Sequence, residues 1–331
     1  MTHTSRPPRQ LLVAALLAGA LALSCDGAPT DPGPLTHPVG TLSGKLAIEG
    51  SPSSIAISSK GIAWVTLLEK NEIARFAAVP SPTLATSFAF AVHPSDVVFN
   101  RAGSIALVGA FDRDRAAVYS VDAASGESPL ARPMQNRPYR VAIAPDDSHL
   151  YVLMYGDPAR VYSYPLTGLL DGAQSSLIQI PGLPRGIAVS PTTGDVIVTT
   201  SARVARLDPR TLEAKAMVGP VSIVSEDVVV TPDGARIWYG SGAGSLVALD
   251  ATSLAQVAEL SLDAPIRSLA MSRDGAQLWA TSFGDVLVID AARETTITRL
   301  PLGGTPVRIA FDQAGTAAFV ANVNGWVDVI R

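Results

Sequence analysis

A short apolar segment that recurs seven times is the feature that most constrains how this chain can fold. Each copy is followed by a turn that contains Gly or Asp. The first apolar residues of the copies, which we call anchors, are Ile55, Val97, Val141, Ile187, Val228, Leu269 and Ile309. Their spacings are 42, 44, 46, 41, 41 and 40 residues. A period of this length predicts one supersecondary unit per copy, packed against its neighbours.

The residues between anchors follow one pattern. A large side chain comes ten residues after the anchor, or nine in the first copy: Trp64, Leu107, Tyr151, Ile197, Trp238, Trp279 and Phe319. We interpret these side chains as packing between units. A third segment ends in Asp122, Asp208, Asp250 or Asp290 in four copies, where an Asx turn into a weaker fourth segment is expected.

Four strands per unit and seven units predict an all-β fold, a seven-bladed β-propeller with four-stranded antiparallel blades. The last unit stops after its third strand at Arg331. The stretch 40–50, GTLSGKLAIEG, precedes the first anchor where other units have their fourth strand. We therefore predict that the last blade is closed by this N-terminal strand, which leaves no long open edge.

The N-terminus has the pattern of a targeting segment. Arg6 and Arg9 precede an apolar stretch at 11–23, which is too short to span a bilayer. LALSC, ending at Cys25, resembles a bacterial lipobox, and this resemblance implies cleavage before Cys25, its acylation, and attachment to a membrane of the bacterial cell envelope. The alternative is an ordinary secretory signal in which this single cysteine is incidental. The predicted regions are a signal peptide at 1–24, the acylated cysteine and a flexible tether at 25–38, and the propeller at 39–331.

Three segments carry a more specific resemblance: LYV at 150–152, WY at 238–239 and AFVAN at 318–322, followed by GWVDVI at 325–330. They are similar to the YVTN-type β-propeller repeat, a relative of WD-repeat propellers. The resemblance covers about 39–331. It implies the fold and says little about function, because such propellers host many activities.

Composition and motifs exclude several classes of function. The net charge is −4, with 25 Lys and Arg against 29 Asp and Glu, and no basic stripe that would suit a nucleic acid. No metal-binding Cys/His spacing, P-loop, nucleophile elbow or dinucleotide fingerprint occurs. We therefore assign no catalytic residue, metal or cofactor, and we expect a monomer.

The two positions before each anchor are unusually charged. Seven of these fourteen residues are charged, against 16% of the chain. In a propeller they surround the entrance of the central channel, with His93 at its rim. The candidate ligand-binding residues are therefore His93, Asp96, Arg140, Arg185, Glu226, Asp227, Arg267 and Arg308. A ring of such charges suits a small polar or anionic ligand. The alternative is that acids and arginines of neighbouring blades pair, Asp96 with Arg140 and Asp227 with Arg267.

Three functions follow from these features. The first is a lipid-anchored propeller that acts as a binding or scaffold module for a protein or a small polar ligand at the channel face. The second is a hydrolase or lyase resembling lactonase-type propellers, with its site at the central channel; the arginines fit this function and the shortage of histidine does not. The third is a surface protein that acts through assembly or adhesion.

Overall fold

The computed structural model describes residues 37–38, 40–78, 82, 86–90, 92–127, 130–169, 176–262 and 264–331. Within these residues, 28 strands form seven four-stranded antiparallel sheets arranged as the blades of a propeller. The predicted fold class is confirmed. The predicted signal peptide and Cys25 lie outside the described residues. No helix in the described part of the chain is long and apolar enough to cross a membrane.

The strands run outward from the channel within each blade. Blade 1 contains β2 Pro52–Ile57, β3 Ile62–Leu67, β4 Glu72–Ala77 and β5 Thr86–Ala89, with a 3₁₀ turn at Leu68–Lys70. Blade 2 contains β6 His93–Phe99, β7 Ile105–Phe111, β8 Ala116–Asp122 and β9 Leu130–Pro133. Blade 3 contains β10 Pro138–Ile143, β11 His149–Met154, β12 Ala159–Pro165 and β13 Ser176–Ile180. Blade 4 contains β14 Pro184–Val189, β15 Val196–Thr200, β16 Val204–Leu207 and β17 Ala214–Val218.

The remaining blades repeat this order. Blade 5 contains β18 Ile223–Val230, β19 Arg236–Ser241, β20 Ser245–Asp250 and β21 Gln256–Ser261. Blade 6 contains β22 Leu269–Met271, β23 Gln277–Thr281, β24 Asp285–Asp290 and β25 Thr295–Pro301. Blade 7 contains β26 Pro306–Phe311, β27 Ala318–Asn322, β28 Trp326–Ile330 and, from the other end of the chain, β1 Leu42–Ala47.

The hydrophobic core lies between blades. The described residues form seven buried clusters, one at each junction. The large second-strand residue of each blade is at most 1% exposed and belongs to the cluster shared with the following blade, so Trp64 packs on blade 2 and Phe319 packs on blade 1. The residue directly opposite it on the first strand is Ala in five blades, which leaves room for the large side chain. The predicted packing role is confirmed.

The aspartates that end the third strands fix the turns that follow them. Asp122, Asp208, Asp250 and Asp290 each accept hydrogen bonds from the amides two and three residues later. These bonds are the expected Asx turns. They stabilise the ionised carboxylate, and together with Lys215 they lower the pKa of Asp208 to about 2 although partial burial acts in the opposite direction.

Blade 7 is closed as the sequence predicts. β1 pairs antiparallel with β28, with Lys45 opposite Asp328 and Ala47 opposite Trp326. The pairing continues at both ends, because Thr41 and Arg331 exchange two backbone hydrogen bonds of 2.7 and 2.9 Å and the amide of Ile48 donates to Gly325. Ile48 is buried in the cluster between blades 7 and 1. The N-terminal strand therefore completes one sheet and also seals one junction.

A charge on this strand compensates a buried carboxylate. Asp328 is fully buried, and burial raises its pKa while Lys45 opposes the rise. The Lys45 ammonium lies 3.4 Å from Asp328 Oδ1, which has no closer partner, and 4.2 Å from the centre of the Trp326 ring. The Trp326 indole N–H donates to the other carboxylate oxygen at 2.9 Å. Without β1, Asp328 would lose its only cationic partner in the described residues.

We therefore expect deletion of residues 26–50 to destabilise the propeller, whereas deletion of residues 26–36 should leave its stability unchanged. The longer deletion removes the β1 pairing, Ile48 and Lys45, and the shorter one keeps even the exposed contact of His37 with Asp274. Thermal unfolding of both variants checks this prediction, with a fall in Tm of several degrees or more expected for the longer deletion alone. Equal unfolding temperatures would show that closure contributes nothing.

Candidate functional site

An irregularity in the first strand of the blades shapes the channel. In blades 1, 2, 3, 4 and 7 the register between the first and second strands shifts at one residue, which has no partner across the sheet. This residue is the first of the two positions before the anchor: Ser53, Ser95, Tyr139, Arg185 or Val307. A bulge interrupts the alternation of faces and re-aims side chains. The bulge residue is therefore not tied to the face of its neighbour in the strand, and its environment differs between blades: Val307 is buried in the cluster between blades 7 and 1, whereas Tyr139 and Arg185 are only partly buried.

The second position before the anchor builds a network of hydrogen bonds inside the channel. Asp96 is fully buried; its Oδ1 accepts from the Ser54 hydroxyl at 2.7 Å and its Oδ2 from the amide of Val141 at 3.0 Å. Asp227 accepts from the hydroxyl of Ser268. We call Ser54, Asp96, Arg140, Asp227, Ser268 and Arg308 the channel network.

Arg308 joins the two carboxylates of this network across the channel. Its guanidinium contacts Asp227 in blade 5 and lies 3.4 Å from Asp96 Oδ1 in blade 2. Each of these blades is two positions away from blade 7 around the ring. A single side chain, 18% exposed, thus connects three blades and compensates two buried carboxylates.

Arg140 makes a second connection across the ring. Its Nη2 donates to Glu226 of blade 5 at 2.6 Å, and Arg267 of blade 6 lies 3.7 Å from the other Glu226 oxygen. The Arg140 side chain reaches blade 5 across the position of blade 4, where the residue that corresponds to Arg140 is Gly186. A Cβ atom on Gly186 would lie 2.6 Å from the amide nitrogen of Val228, so blade 5 packs directly against this glycine. Burial disfavours the charged guanidinium, but the surrounding carboxylates, Asp96 first, outweigh burial and raise the pKa of Arg140.

The two ion pairs predicted between adjacent blades, Asp96 with Arg140 and Asp227 with Arg267, do not form. Asp96 forms its ion pair with Arg308 instead of Arg140, and Arg267 meets Glu226 instead of Asp227. The reason is geometric, because the channel is narrow enough for an arginine to reach a blade two positions away. The underlying expectation that acids and arginines neutralise one another holds for six of the seven charged residues.

Arg185 is the exception. Its Nε is buried without a hydrogen-bond partner, and its guanidinium makes no hydrogen bond or ion pair with any described residue. It lies close enough to Tyr139 to influence the phenol: burial raises the pKa of Tyr139, while Arg140 and Arg185 act in the opposite direction. We call Tyr139, Arg185, Glu226 and Arg267 the channel mouth. Each occupies the first of the two positions before an anchor, one residue ahead of the position that builds the channel network.

The charges of the mouth and network do not cancel. Four arginines stand against the three carboxylates of Asp96, Glu226 and Asp227. The surplus cation is the unpaired Arg185. An unpaired guanidinium next to a half-buried, neutral phenol can donate several hydrogen bonds to an anion.

A cleft of about 310 Å³ adjoins the mouth between blades 5, 6 and 7. Its walls include Ile266, Pro265 and Pro306, with Glu226 and Arg267 as its charged groups. Phe283 stands at its edge and is 79% exposed. Phe283 is not among the residues predicted from the sequence, because it belongs to the loop between β23 and β24 instead of the segment before an anchor.

His93 has a structural role. The N–H of its Nδ1 donates to the carbonyl of Leu68 in blade 1 at 2.7 Å, and its ring packs 6.4 Å from the ring of Phe111. Its position at the start of β6 agrees with the expected rim, but no hydrogen bond joins it to the charged residues of the channel within the described part of the chain.

Comparison with known proteins adds no assignment. No model of a protein family matches the chain, and no curated protein matches it. Among the residues that the structure describes, no group of three His, Cys, Asp or Glu side chains could hold a metal ion. The proposed function therefore rests on the geometry of the channel.

The role of Arg308 can be tested by comparing it with Arg267. Replacing Arg308 with Met leaves two buried carboxylates without their cation, so we expect a loss of about 3 kcal/mol or more of unfolding free energy. Replacing Arg267 with Met removes a partly exposed pair and should cost less than about 1 kcal/mol. Denaturant unfolding at neutral pH measures the unfolding free energy of both variants. Equal losses would contradict the stabilising role of the channel network.

Proposed function

We propose that this protein is a lipid-anchored β-propeller of the bacterial cell envelope, with a YVTN-type repeat, that binds a small polar ligand bearing an anionic group at the channel mouth. The observation that carries the proposal is the unpaired Arg185. Leaving a cation partly buried without a partner costs free energy. A ligand that supplies the missing negative charge would recover that cost on binding.

The surroundings of Arg185 support an anionic ligand of small size. The ion pairs of the channel network cross the channel directly behind the mouth. A ligand bound at the mouth therefore does not extend further into the channel. The phenol of Tyr139 adds a neutral donor, and its ring lies 4.5 Å from the Arg140 guanidinium, which restrains both side chains. Glu226 is already engaged by Arg140 and Arg267, so its charge is compensated.

The hydrolase or lyase alternative has no comparable observation in its favour. Such a site needs a group free to accept a proton in the pocket. The carboxylates of Asp96 and Asp227 are engaged by serine hydroxyls and by Arg308. His93 is held by a backbone carbonyl of blade 1, and no hydrogen bond joins it to the charged channel residues in the described part of the chain. We therefore place binding ahead of catalysis.

Arg185 should matter for ligand binding and not for stability. We expect isothermal titration to show that the wild type binds at least one of acetate, succinate, phosphate and sulfate, and that Arg185→Gln weakens this binding by about tenfold or more. The thermal unfolding temperature of Arg185→Gln should equal or exceed that of the wild type, because the replaced guanidinium has no partner.

A matched control comes from the same blade. Arg203 lies in the loop between β15 and β16, and within the described structure its guanidinium donates only to the adjacent carbonyl of Ala202, at 3.2 Å. Arg203→Gln should leave anion binding unchanged. Wild-type protein that binds none of the four anions, or an Arg185→Gln variant that binds as well as the wild type, would refute the proposed ligand class.

The membrane attachment rests on Cys25 and its lipobox-like context, and it has its own test. In bacterial cells fed an alkyne-labelled palmitate, we expect the full-length protein to carry the label and to sediment with membranes. Cys25→Ser should remove the label and release the protein, because the acyl chains supply about 0.8 kcal/mol of membrane affinity per buried CH₂. An unlabelled wild-type protein would leave the ordinary secretory signal as the explanation.

A further inference from the structure

Neighbouring blades contact one another through the turns between their first and second strands, on the face opposite the channel mouth. At five of the seven junctions the described residues show this contact directly. The contacts are Gly103 with Ser59, Asp147 with the amide of Arg101, Gly234 with Thr192, Gly275 with Pro232, and Arg273 with the carbonyl of Gln313.

The junction between blades 3 and 4 is different. The blade 4 turn has a different hydrogen-bond pattern, because its glycine comes one position later. The Gly194 amide donates to the carbonyl of Ser190, four residues back, whereas the corresponding amide in each of the other blades donates to a carbonyl three residues back. A Cβ atom on Gly194 would meet nothing nearer than 4.0 Å, and that atom belongs to Pro209 of the same blade. A cavity of about 350 Å³ occupies the space between the two turns. We call it the blade 3–4 cavity.

The walls of this cavity are held in place by hydrogen bonds between the blades. The Tyr151 hydroxyl donates to the carbonyl of Pro209 at 2.9 Å, and the Ser176 hydroxyl donates to the carbonyl of Arg210 at 2.9 Å. The imidazole of His149 stacks on the Tyr151 ring, with 6.3 Å between centroids and 15° between planes. Pro145 and Pro191 supply further rigid apolar surface. The cavity is therefore pre-organised, which lowers the entropy cost of binding.

One cation at this cavity has no partner. The guanidinium of Arg210 makes no hydrogen bond or ion pair with the described residues, although its backbone is fixed by Asp208 and Ser176. It lies close enough to His149 to act on its pKa. An arginine in this position can receive a carboxylate through two parallel hydrogen bonds.

His149 offers an acceptor next to this cation. Burial, aided by Arg210, lowers its pKa although Asp146 opposes the change, so the ring is neutral at neutral pH. The Ser148 amide donates to the Asp146 carboxylate at 3.0 Å, which fixes the backbone beside the imidazole. His149 Nδ1 lies 3.0 Å from the Ser148 hydroxyl. In the tautomer whose Nδ1–H donates to that hydroxyl, the Nε2 of His149 has a lone pair that can accept a hydrogen bond.

We propose that the blade 3–4 cavity is a second ligand site and that it takes a small aromatic carboxylate carrying a hydroxyl group. The carboxylate binds Arg210, the aromatic ring lies against His149 and the prolines, and the hydroxyl donates to His149 Nε2. The volume is at the lower end of the range for small-molecule sites, roughly 300–1,000 Å³. This site is independent of the channel mouth and lies on the opposite face.

Three probes separate the contributions to binding: 4-hydroxybenzoate has both polar groups, benzoate lacks the hydroxyl, and phenol lacks the carboxylate. Isothermal titration of the full propeller at neutral pH should show the tightest binding for 4-hydroxybenzoate. Arg210→Gln should weaken 4-hydroxybenzoate binding by about tenfold or more and leave phenol binding nearly unchanged. His149→Phe keeps the stacked ring and removes Nε2, so this variant should bind benzoate and 4-hydroxybenzoate equally.

Arg203→Gln is the neutral control, because it leaves both proposed sites intact and should not change the binding of 4-hydroxybenzoate. Arg185→Gln identifies the site: it removes the surplus cation of the channel mouth, and the Arg210-dependent binding of 4-hydroxybenzoate should persist in it. Thermal unfolding of all variants shows whether the fold is intact. The proposal is overturned if the wild type binds none of the three probes, or if folded Arg210→Gln binds 4-hydroxybenzoate as well as the wild type. Loss of that binding in Arg185→Gln would place the probe in the channel and would equally overturn it.

Discussion

Closure of the ring is the constraint on which the rest of this structure depends. Each blade packs only on its neighbours, so an unclosed propeller would expose two junction surfaces and the edge of β28. The pairing of β1 with β28 removes that edge, and Ile48 fills the junction between blades 7 and 1. Lys45 brings the positive charge that the buried Asp328 requires. Because strand and charge come from the other end of the chain, the last blade is complete only when the whole chain has folded.

Closure brings the seven first strands together, and their charges must then be compensated inside a narrow channel. Arg308 and Arg140 do this by bonding to blades two positions away instead of to their neighbours. These bonds join blades that share no hydrophobic junction, so they add direct connections to the nearest-neighbour packing. The channel residues are therefore first a stabilising device. Only a residue outside this set of pairs, such as Arg185, is free to recognise a ligand without weakening the ring.

The sequence predicts the features that depend on local periodicity. The anchors and the burial of the large second-strand residues such as Trp238 recur in all seven units, and the Asx turns of the third-strand aspartates recur in four, so several copies support each inference. The donated strand could also be predicted, because blade 7 ends without its fourth strand. Arg308 and Asp227 lie 81 residues apart, and their contact depends on rotamers and on the bulges before the anchors. No repeat-level pattern carries that information, so the sequence does not predict which acid pairs with which arginine.

The two candidate sites share a physical origin. A repeat protein optimises the same contact at every junction, so a binding site arises most easily where one copy departs from the rule. Blade 4 departs twice: Gly186 replaces the side chain that other blades place in the channel, and Gly194 of its first turn comes one position later and has no close contact with blade 3. Arg185 and Arg210, whose guanidiniums have no partner among the described residues, both belong to this blade. Arg185 is partly buried and Arg210 is exposed, so an anion would gain different things at the two proposed sites. At the channel mouth it would recover the cost of burying an unpaired cation, whereas at the blade 3–4 cavity its gain would come from the contacts that the cavity walls add.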